Sequence, residues 1–242
     1  MCADEIAGVS GPINRTLYGR RKGKKLRQLQ AGLVTHTLPD ISVDCSKAFS
    51  PEHLFERSYS NYRMEIGFGG AEHLVHEAAS HPDVGYIGCE PFLNGVAKLL
   101  VQLNEKQISN VRVHHGDARD VLLRLPDACL SRVDVLYPDP WPKWRQRKRR
   151  FLSEKNIDEI ARVLKPGSVF RFATDIDDYA GWVLARVLKS DRWIWQEAQQ
   201  GERAWQEAWE NWPSTRYEAK AFREGRTPVY LSFIRLASSV AP

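Results

Sequence analysis

The sequence predicts an α/β fold: a doubly wound, mostly parallel sheet with helices on both faces. Three observations predict it. From residue 62 onward, short apolar runs alternate with helical patterns. The helical patterns have the length, about 10–15 residues, that returns a chain over a sheet to a parallel neighbour. Most of the apolar runs end on glycine or an acidic residue, and parallel sheets bind ligands beyond the carboxyl ends of their strands.

Residues 1–45 hold glycine, proline and basic residues with little periodicity and read as a mobile basic arm; residues 46–242 read as one domain. Ser50, Pro51 and Glu52 predict the start of a short helix, with Ser50 as its cap. "YRMEIG" is the first strand. After Gly69-Gly70, residues Ala71, Leu74, Val75, Ala78 and Ala79 form one helical face. "VGYIGCE" is the second strand, and Val96, Leu99, Leu100 and Leu103 mark the next helix. "VRVHHGD" and "VDVLYPD" are the third and fourth strands. Ser153 is placed to cap a helix carrying Ile157, Ile160, Ala161 and Leu164, which Pro166-Gly167 should stop. "SVFRFATD" is the fifth strand; Ala180, Val183, Leu184 and Val187 mark another helix; "VYLSFIRL" is the last strand. Segment 191–214, with five of the eight tryptophans, has no assigned role.

Composition narrows the function. No apolar run approaches the roughly 18 residues of a membrane helix, and the first residues lack the pattern of a signal peptide. A cytoplasmic chain is expected. Cys2, Cys45, Cys89 and Cys129 are far apart and read as reduced thiols. His114 and His115 point to opposite faces of one strand, so no metal site is expected. The net charge is +5. Seven basic residues fall in 15–27 and six in 143–150, with no acid in either block. These blocks hold thirteen of the 35 basic residues, so the rest of the chain has 22 against 30 acidic ones. Positive blocks on an acidic body are the footprint of a polyanion binder, or else a solvated tail and loop.

The strand ends supply the candidate site. "EIGFGG" offers Gly67 and Gly69 for a tight turn near a ligand. A dinucleotide fingerprint would place glycine where Glu72 stands, and Glu65 would repel a diphosphate, so a cationic ligand suits the turn better. Glu90 is placed to accept from ribose hydroxyls, or to oppose a helix dipole. Asp117 and Ala118 stand where an adenine amino group would donate, or where a helix needs a cap. Asp139 ends the fourth strand between Pro138 and Pro140, which fix φ and remove backbone donors on both sides. A turn needs an Asp but not both prolines. The basic run begins four residues later, so a polyanion held there would present its chemistry to Asp139. Trp141 either stacks on a base or packs on the sheet.

"PDPWPKWRQRKRR" closely resembles the signature of the tRNA (guanine-N7-)-methyltransferases of bacterial type, which use S-adenosylmethionine. "EIGFGG", "GCEP", "HGDA", "FATD" and "TRYEAKAFREG" follow in that family's order, and "GRRKGKKLRQLQ" resembles its basic arm. The resemblance covers roughly residues 16 to 235. It implies a Rossmann-like class I methyltransferase domain with a final antiparallel strand, and methylation of the guanine conventionally numbered 46 in the variable loop. It further implies cofactor contacts at Glu65, Gly67, Gly69, Glu90, Asp117, Ala118 and Asp139, with Asp139 the catalytic residue. Substrate contacts are implied at Lys143, Asp175, Thr215, Arg216, Tyr217 and Glu218. RNA contacts are implied at Arg20, Arg21, Arg145, Arg147, Lys148, Arg149 and Arg150. Gln146 stands where the family usually has His, and Tyr217 where it has Phe. The expected partner is tRNA, and both monomer and homodimer stay open.

Rival readings are a nicotinamide-dependent dehydrogenase, an RNA-binding protein on the same scaffold without activity, and a methyltransferase for adenine or a small molecule. The missing third glycine and Glu65 disfavour the first. Acids at five separate strand ends or loops disfavour the second. DPWP differs from the D/N-P-P-aromatic motif of adenine-N6 enzymes, which disfavours the third.

Overall fold

The computed structural model describes residues 16–237, except Arg20 and Lys22. A seven-stranded sheet organises the chain. Strands β1 (Asn61–Ile66), β2 (Val84–Cys89), β3 (Val111–His114), β4 (Leu130–Leu136) and β5 (Leu164–Thr174) run parallel. Strands β6 (Trp193–Trp195) and β7 (Val229–Arg235) complete it in the order β3-β2-β1-β4-β5-β7-β6, with β7 antiparallel to both neighbours. The final strand is therefore antiparallel, as the resemblance implies. Strand order reverses between β1 and β4, which opens a crevice at their carboxyl ends.

Burial explains the elements. All six residues of β2 are buried, as a central strand covered on both faces requires. Helix α4 (Leu93–Lys106) buries Val96, Leu99, Leu100 and Leu103, the predicted face. Helix α6 (Glu154–Val163) begins where Ser153 Oγ accepts from Asn156 N–H at 3.4 Å. It ends one residue earlier than the pattern suggests. Leu164 already pairs with Leu130, and Pro166-Gly167 sit inside β5 at an irregularity of register. Helix α3 (Glu72–Ser80) buries His73 and Glu77 beside its apolar face and exposes Ala79. Ser50 precedes a single 3-10 turn, Pro51–Leu54, and its hydroxyl bonds the Glu52 side chain rather than the turn's backbone.

Four elements lie outside the sequence expectations: α1 (Gln28–His36), α2 (Leu38–Ile41), β6 and α8 (Arg216–Arg223). The segment read as an arm thus carries two helices. Leu33, Val34, Leu38 and Ile41 pack partly buried against the apolar cluster of α3 and α4. Val43 N–H then bonds Val113 O at 2.9 Å, tying the segment to edge strand β3.

The two faces of the sheet differ. On one, α5 (Ala118–Leu122), α6 and α7 (Asp177–Val187) cover a large core including Met64, Val133, Phe170, Phe172 and Phe233. On the other, α3 and α4 cover β2 and β3. Alternation sends Arg63, Glu65, Arg132, Asp134 and Arg171 to that second face. There Glu77 accepts from Arg63 (2.9 Å) and Arg132 (2.5 Å), and Arg132 also donates to Asp134 (2.8 Å). The tryptophan-rich segment closes this seam. Trp209 lies under Arg171 at 4.9 Å, Trp212 packs on His73 at 5.1 Å, and Trp209 Nε1 donates to Ser232 Oγ. Segment 191–214 therefore packs over the sheet.

Candidate active site

The crevice holds a cavity of about 500 Å³, within the ordinary range for a small-molecule site. The strand-end segments of β1, β2, β3 and β4 line it, with Leu17–Gly19 of the basic segment on one side. After β1 the chain turns through Gly67 (φ +76°) and Gly69 (φ +52°), a left-handed backbone that favours glycine. Nothing lies within 4 Å of where a Gly67 Cβ would stand, so this turn faces open cavity.

Three carboxylates of the cavity are held in different ways. Glu90 accepts from Gly69 N–H at 2.7 Å and from Phe92 N–H at 2.8 Å. Burial nevertheless raises its pKa above the ordinary glutamate value. Asp117 caps α5, accepting from Arg119 N–H at 3.0 Å and from the Arg119 guanidinium. Asp139 makes no hydrogen bond or ion pair among the described residues. It stands at the rim with one side in water, and its partial burial against the cavity wall raises its pKa.

The Asp139 loop is strained. Tyr137 (φ +48°) and Trp141 (φ +42°) both precede proline, a place where the extended region is the norm. Non-glycine residues in this region store strain that the surroundings must enforce. Arg150 enforces it from below. Its Nε donates to Pro140 O at 2.7 Å, and its guanidinium lies over Tyr179 (4.7 Å) and Trp182 (4.9 Å). Trp141 packs edge-on to Tyr18 at 6.2 Å, and Arg149 covers both rings at 4.8 and 5.0 Å. Leu93 N–H donates to Arg21 O at 3.1 Å, and Gly23 N–H donates to Asn94 Oδ1 at 2.7 Å. The described part of the basic segment thus reaches from the cavity wall, at Leu17–Gly19, to the start of α4.

The structure brings Gly67, Gly69, Glu90, Asp117, Ala118, Asp139, Tyr217, Lys148, Arg149 and Arg150 to the cavity wall. It does not bring the other candidates there. Glu65 is buried beneath, bonded to His73 Nδ1 at 2.6 Å; burial raises the Glu65 pKa, and Glu65 in turn raises that of His73 against burial. Asp175 pairs with Arg226 at 2.7 Å. Thr215 caps α8, and Glu218 is buried against Trp212 Nε1 and the Tyr230 hydroxyl. Arg216 pairs with Glu72. Arg150, although on the wall, is buried rather than facing outward, because it supports the loop. Arg147 bonds Asp178 at 2.6 Å. Lys143, Arg145 and Arg21 are exposed, and Arg20 lies outside the described residues.

Sequence reasoning missed Tyr18, Tyr137, Phe151 and Asn156 as wall residues. Tyr137 had a signal, an aromatic directly before the Pro-Asp-Pro stretch. Tyr18 had none, since no pattern links it to residues 120 positions away. Among the described residues no group of three potential metal ligands converges, and no helix is long and apolar enough to cross a membrane.

A family model described as "Putative methyltransferase" matches residues 60–231. A tRNA (guanine-N(7)-)-methyltransferase of Brucella anthropi is 49% identical over 221 residues, covering 90% of this chain and 94% of that one. One from Azorhizobium caulinodans is 48% identical over 219 residues, with the same shares. Among solved structures, the 16S rRNA methyltransferase KamB is 16% identical with a TM-score of 0.50, covering 74% of this chain and 89% of that one, a likeness of fold.

Proposed function

This chain belongs to the tRNA (guanine-N7-)-methyltransferase family, and we propose that it transfers a methyl group from S-adenosylmethionine to N7 of a guanine in tRNA, guanine 46 of the variable loop. One observation carries the residue-level reading. Of the three cavity carboxylates, Glu90 and Asp117 are committed to protein donors while Asp139 is held rigidly at the rim without one. The first two are built to hold a ligand, and the third to meet a substrate.

The cavity residues fit the cofactor. The open glycine turn admits close approach of a ligand to backbone. Glu90 presents a carboxylate fixed by two N–H groups, with lone pairs left for ribose hydroxyls. Asp117 and Ala118 would meet the cofactor's adenine. When bound, S-adenosylmethionine supplies an electrophilic methyl on a sulfonium cation. The acidic wall suits that charge.

Guanine N7 carries a lone pair and no proton, so the chain needs no general base to make the nucleophile. Its tasks are alignment and electrostatics. Asp139 accepts from the guanine N1–H and amino group and stabilises the positive charge that grows on the purine. Tyr217, whose ring covers Gly69, bounds the base-binding side. Asp175, Thr215 and Glu218 act as positioning residues: Asp175 holds Arg226, Thr215 starts α8, and Glu218 anchors Trp212 and Tyr230 behind it. Exposed Lys143, Arg145, Lys148 and Arg21 are free to meet phosphates, with Arg20 next to Arg21 in sequence. A tRNA substrate puts the reaction in the cytoplasm.

Asp139→Asn tests the assignment. It should lower turnover by about 100- to 1,000-fold while tRNA affinity stays near that of the parent. Equal loss of both would remove the catalytic role.

A further inference from the structure

Trp144 has no part in the cavity and is 78% exposed, whereas the other seven tryptophans are buried or half-buried. The other seven rings are packed against protein. Trp141, three residues earlier, is held between Tyr18 and Arg149. Trp182 lies against Arg150 and Arg186, Trp193 against Phe170, Trp195 against Trp205, and Trp209 against Trp212. Leaving so large an apolar ring in water is unfavourable, so its placement asks for a partner.

Its surroundings say which kind. Trp144 opens the 3-10 turn Trp144–Arg149, which has no acid and four basic residues, and Lys143 precedes it. Arg147 lies over the ring at 5.1 Å and is itself fixed by Asp178. One ring face is thus backed by a guanidinium held in place, and the other is open to solvent. A partner for this spot must carry negative charge and flat apolar rings together. Nucleic acid carries both on every nucleotide, whereas an acidic protein surface joins them only where an aromatic side chain lies among its acids. Resting on the proposed tRNA substrate, we infer that Trp144 is a stacking platform for an unpaired base of the tRNA outside the target guanine. The exposed face takes the base, Arg147 rigidifies the platform, and the neighbouring cations hold the adjoining phosphates.

Stacking and phosphate contact differ in salt dependence. Affinity from phosphates falls with salt through counterion release, whereas an uncharged stack releases none. The full-length protein and its Trp144→Ala, Trp144→Phe and Trp144→Leu variants should be titrated with an unmodified tRNA transcript over a salt series. Trp144→Ala should raise Kd by about 5- to 100-fold with an unchanged salt slope. Trp144→Phe should recover most of the loss and Trp144→Leu should not. Turnover at saturating tRNA should match the parent. An unchanged Kd in Trp144→Ala, a flatter slope, or rescue by Leu as good as by Phe would each overturn the platform. A parent protein that fails to bind tRNA would instead overturn the proposed function itself.

Discussion

Glu90 holds Gly69: its carboxylate accepts the Gly69 N–H at 2.7 Å, so the acid after β2 fixes the glycine turn after β1. Gly95 of α4 presses on the same turn from behind. A Cβ on Gly95 would overlap the Gly69 carbonyl oxygen, a backbone atom that cannot swing aside. Gly95→Ala should therefore deform the turn and destabilise the protein by about 1–3 kcal/mol, as overpacking does. Calorimetry should show cofactor affinity falling with it. At Gly70 the obstacle is only the tip of Arg216, so Gly70→Ala should be milder, at the expense of the Arg216–Glu72 pair.

The pH dependence should separate free from loaded enzyme. Burial raises the pKa of both Glu90 and Asp139. Their ionised forms are the active ones, so activity should fall as pH drops through those raised values. A bound sulfonium cation favours the ionised carboxylates and lowers the same pKa values. The acid limb of kcat/KM for the cofactor should therefore lie at higher pH than that of kcat. Coincident limbs would show that neither carboxylate senses the cofactor.

The charged seam should matter to stability rather than chemistry. Burial alone would raise the Glu77 pKa, but Arg132, with His73 and Arg63, outweighs it and holds the carboxyl at about 2. A depressed carboxylate contributes stability above its unfolded value, and that stability is lost as pH falls from about 4.5 through about 2. Glu77→Gln leaves Arg132 partly unpaired in the interior and should cost about 3–5 kcal/mol at neutral pH. Denaturant unfolding at neutral pH and at pH near 2 checks this, because the difference from the parent should shrink in acid.

Much of the fold was legible because its periodicities are local. The alternation from β1 to α7 and the apolar faces of α4 and α6 needed no tertiary knowledge. The candidate site was legible in part. Pro138-Asp139-Pro140 announces a fixed carboxylate, and Glu90 and Asp117 follow from the rule of strand ends. What failed is what depends on the covering layer. Arg150 sits in a basic run that reads as outward-facing, yet Tyr179 and Trp182 of α7 take its guanidinium inward. Glu218 sits beside Tyr217, but helical geometry sends one to the interior and the other to the cavity. Helix α1 has a weak apolar pattern, and its packing on the cluster of α3 and α4 makes it a helix of the fold rather than an arm.

Lys143, Arg145 and Lys148 are exposed, whereas Arg147, Arg149 and Arg150 have partners within the protein. Neutralising the first three together should weaken tRNA binding and flatten its salt slope by about 2, at roughly 0.7 per lost phosphate contact. Neutralising Arg150 should instead lower stability, since it supports the Asp139 loop. A salt slope untouched by the triple variant would make the block a solvated loop.

The most direct test of the account is methyl transfer from labelled S-adenosylmethionine to an unmodified tRNA transcript, with the product mapped by cleavage at N7-methylguanine. The account predicts label at one variable-loop guanine, abolished by replacing that guanine and reduced strongly in Asp139→Asn. Label elsewhere, or none although cofactor and tRNA both bind, would contradict it.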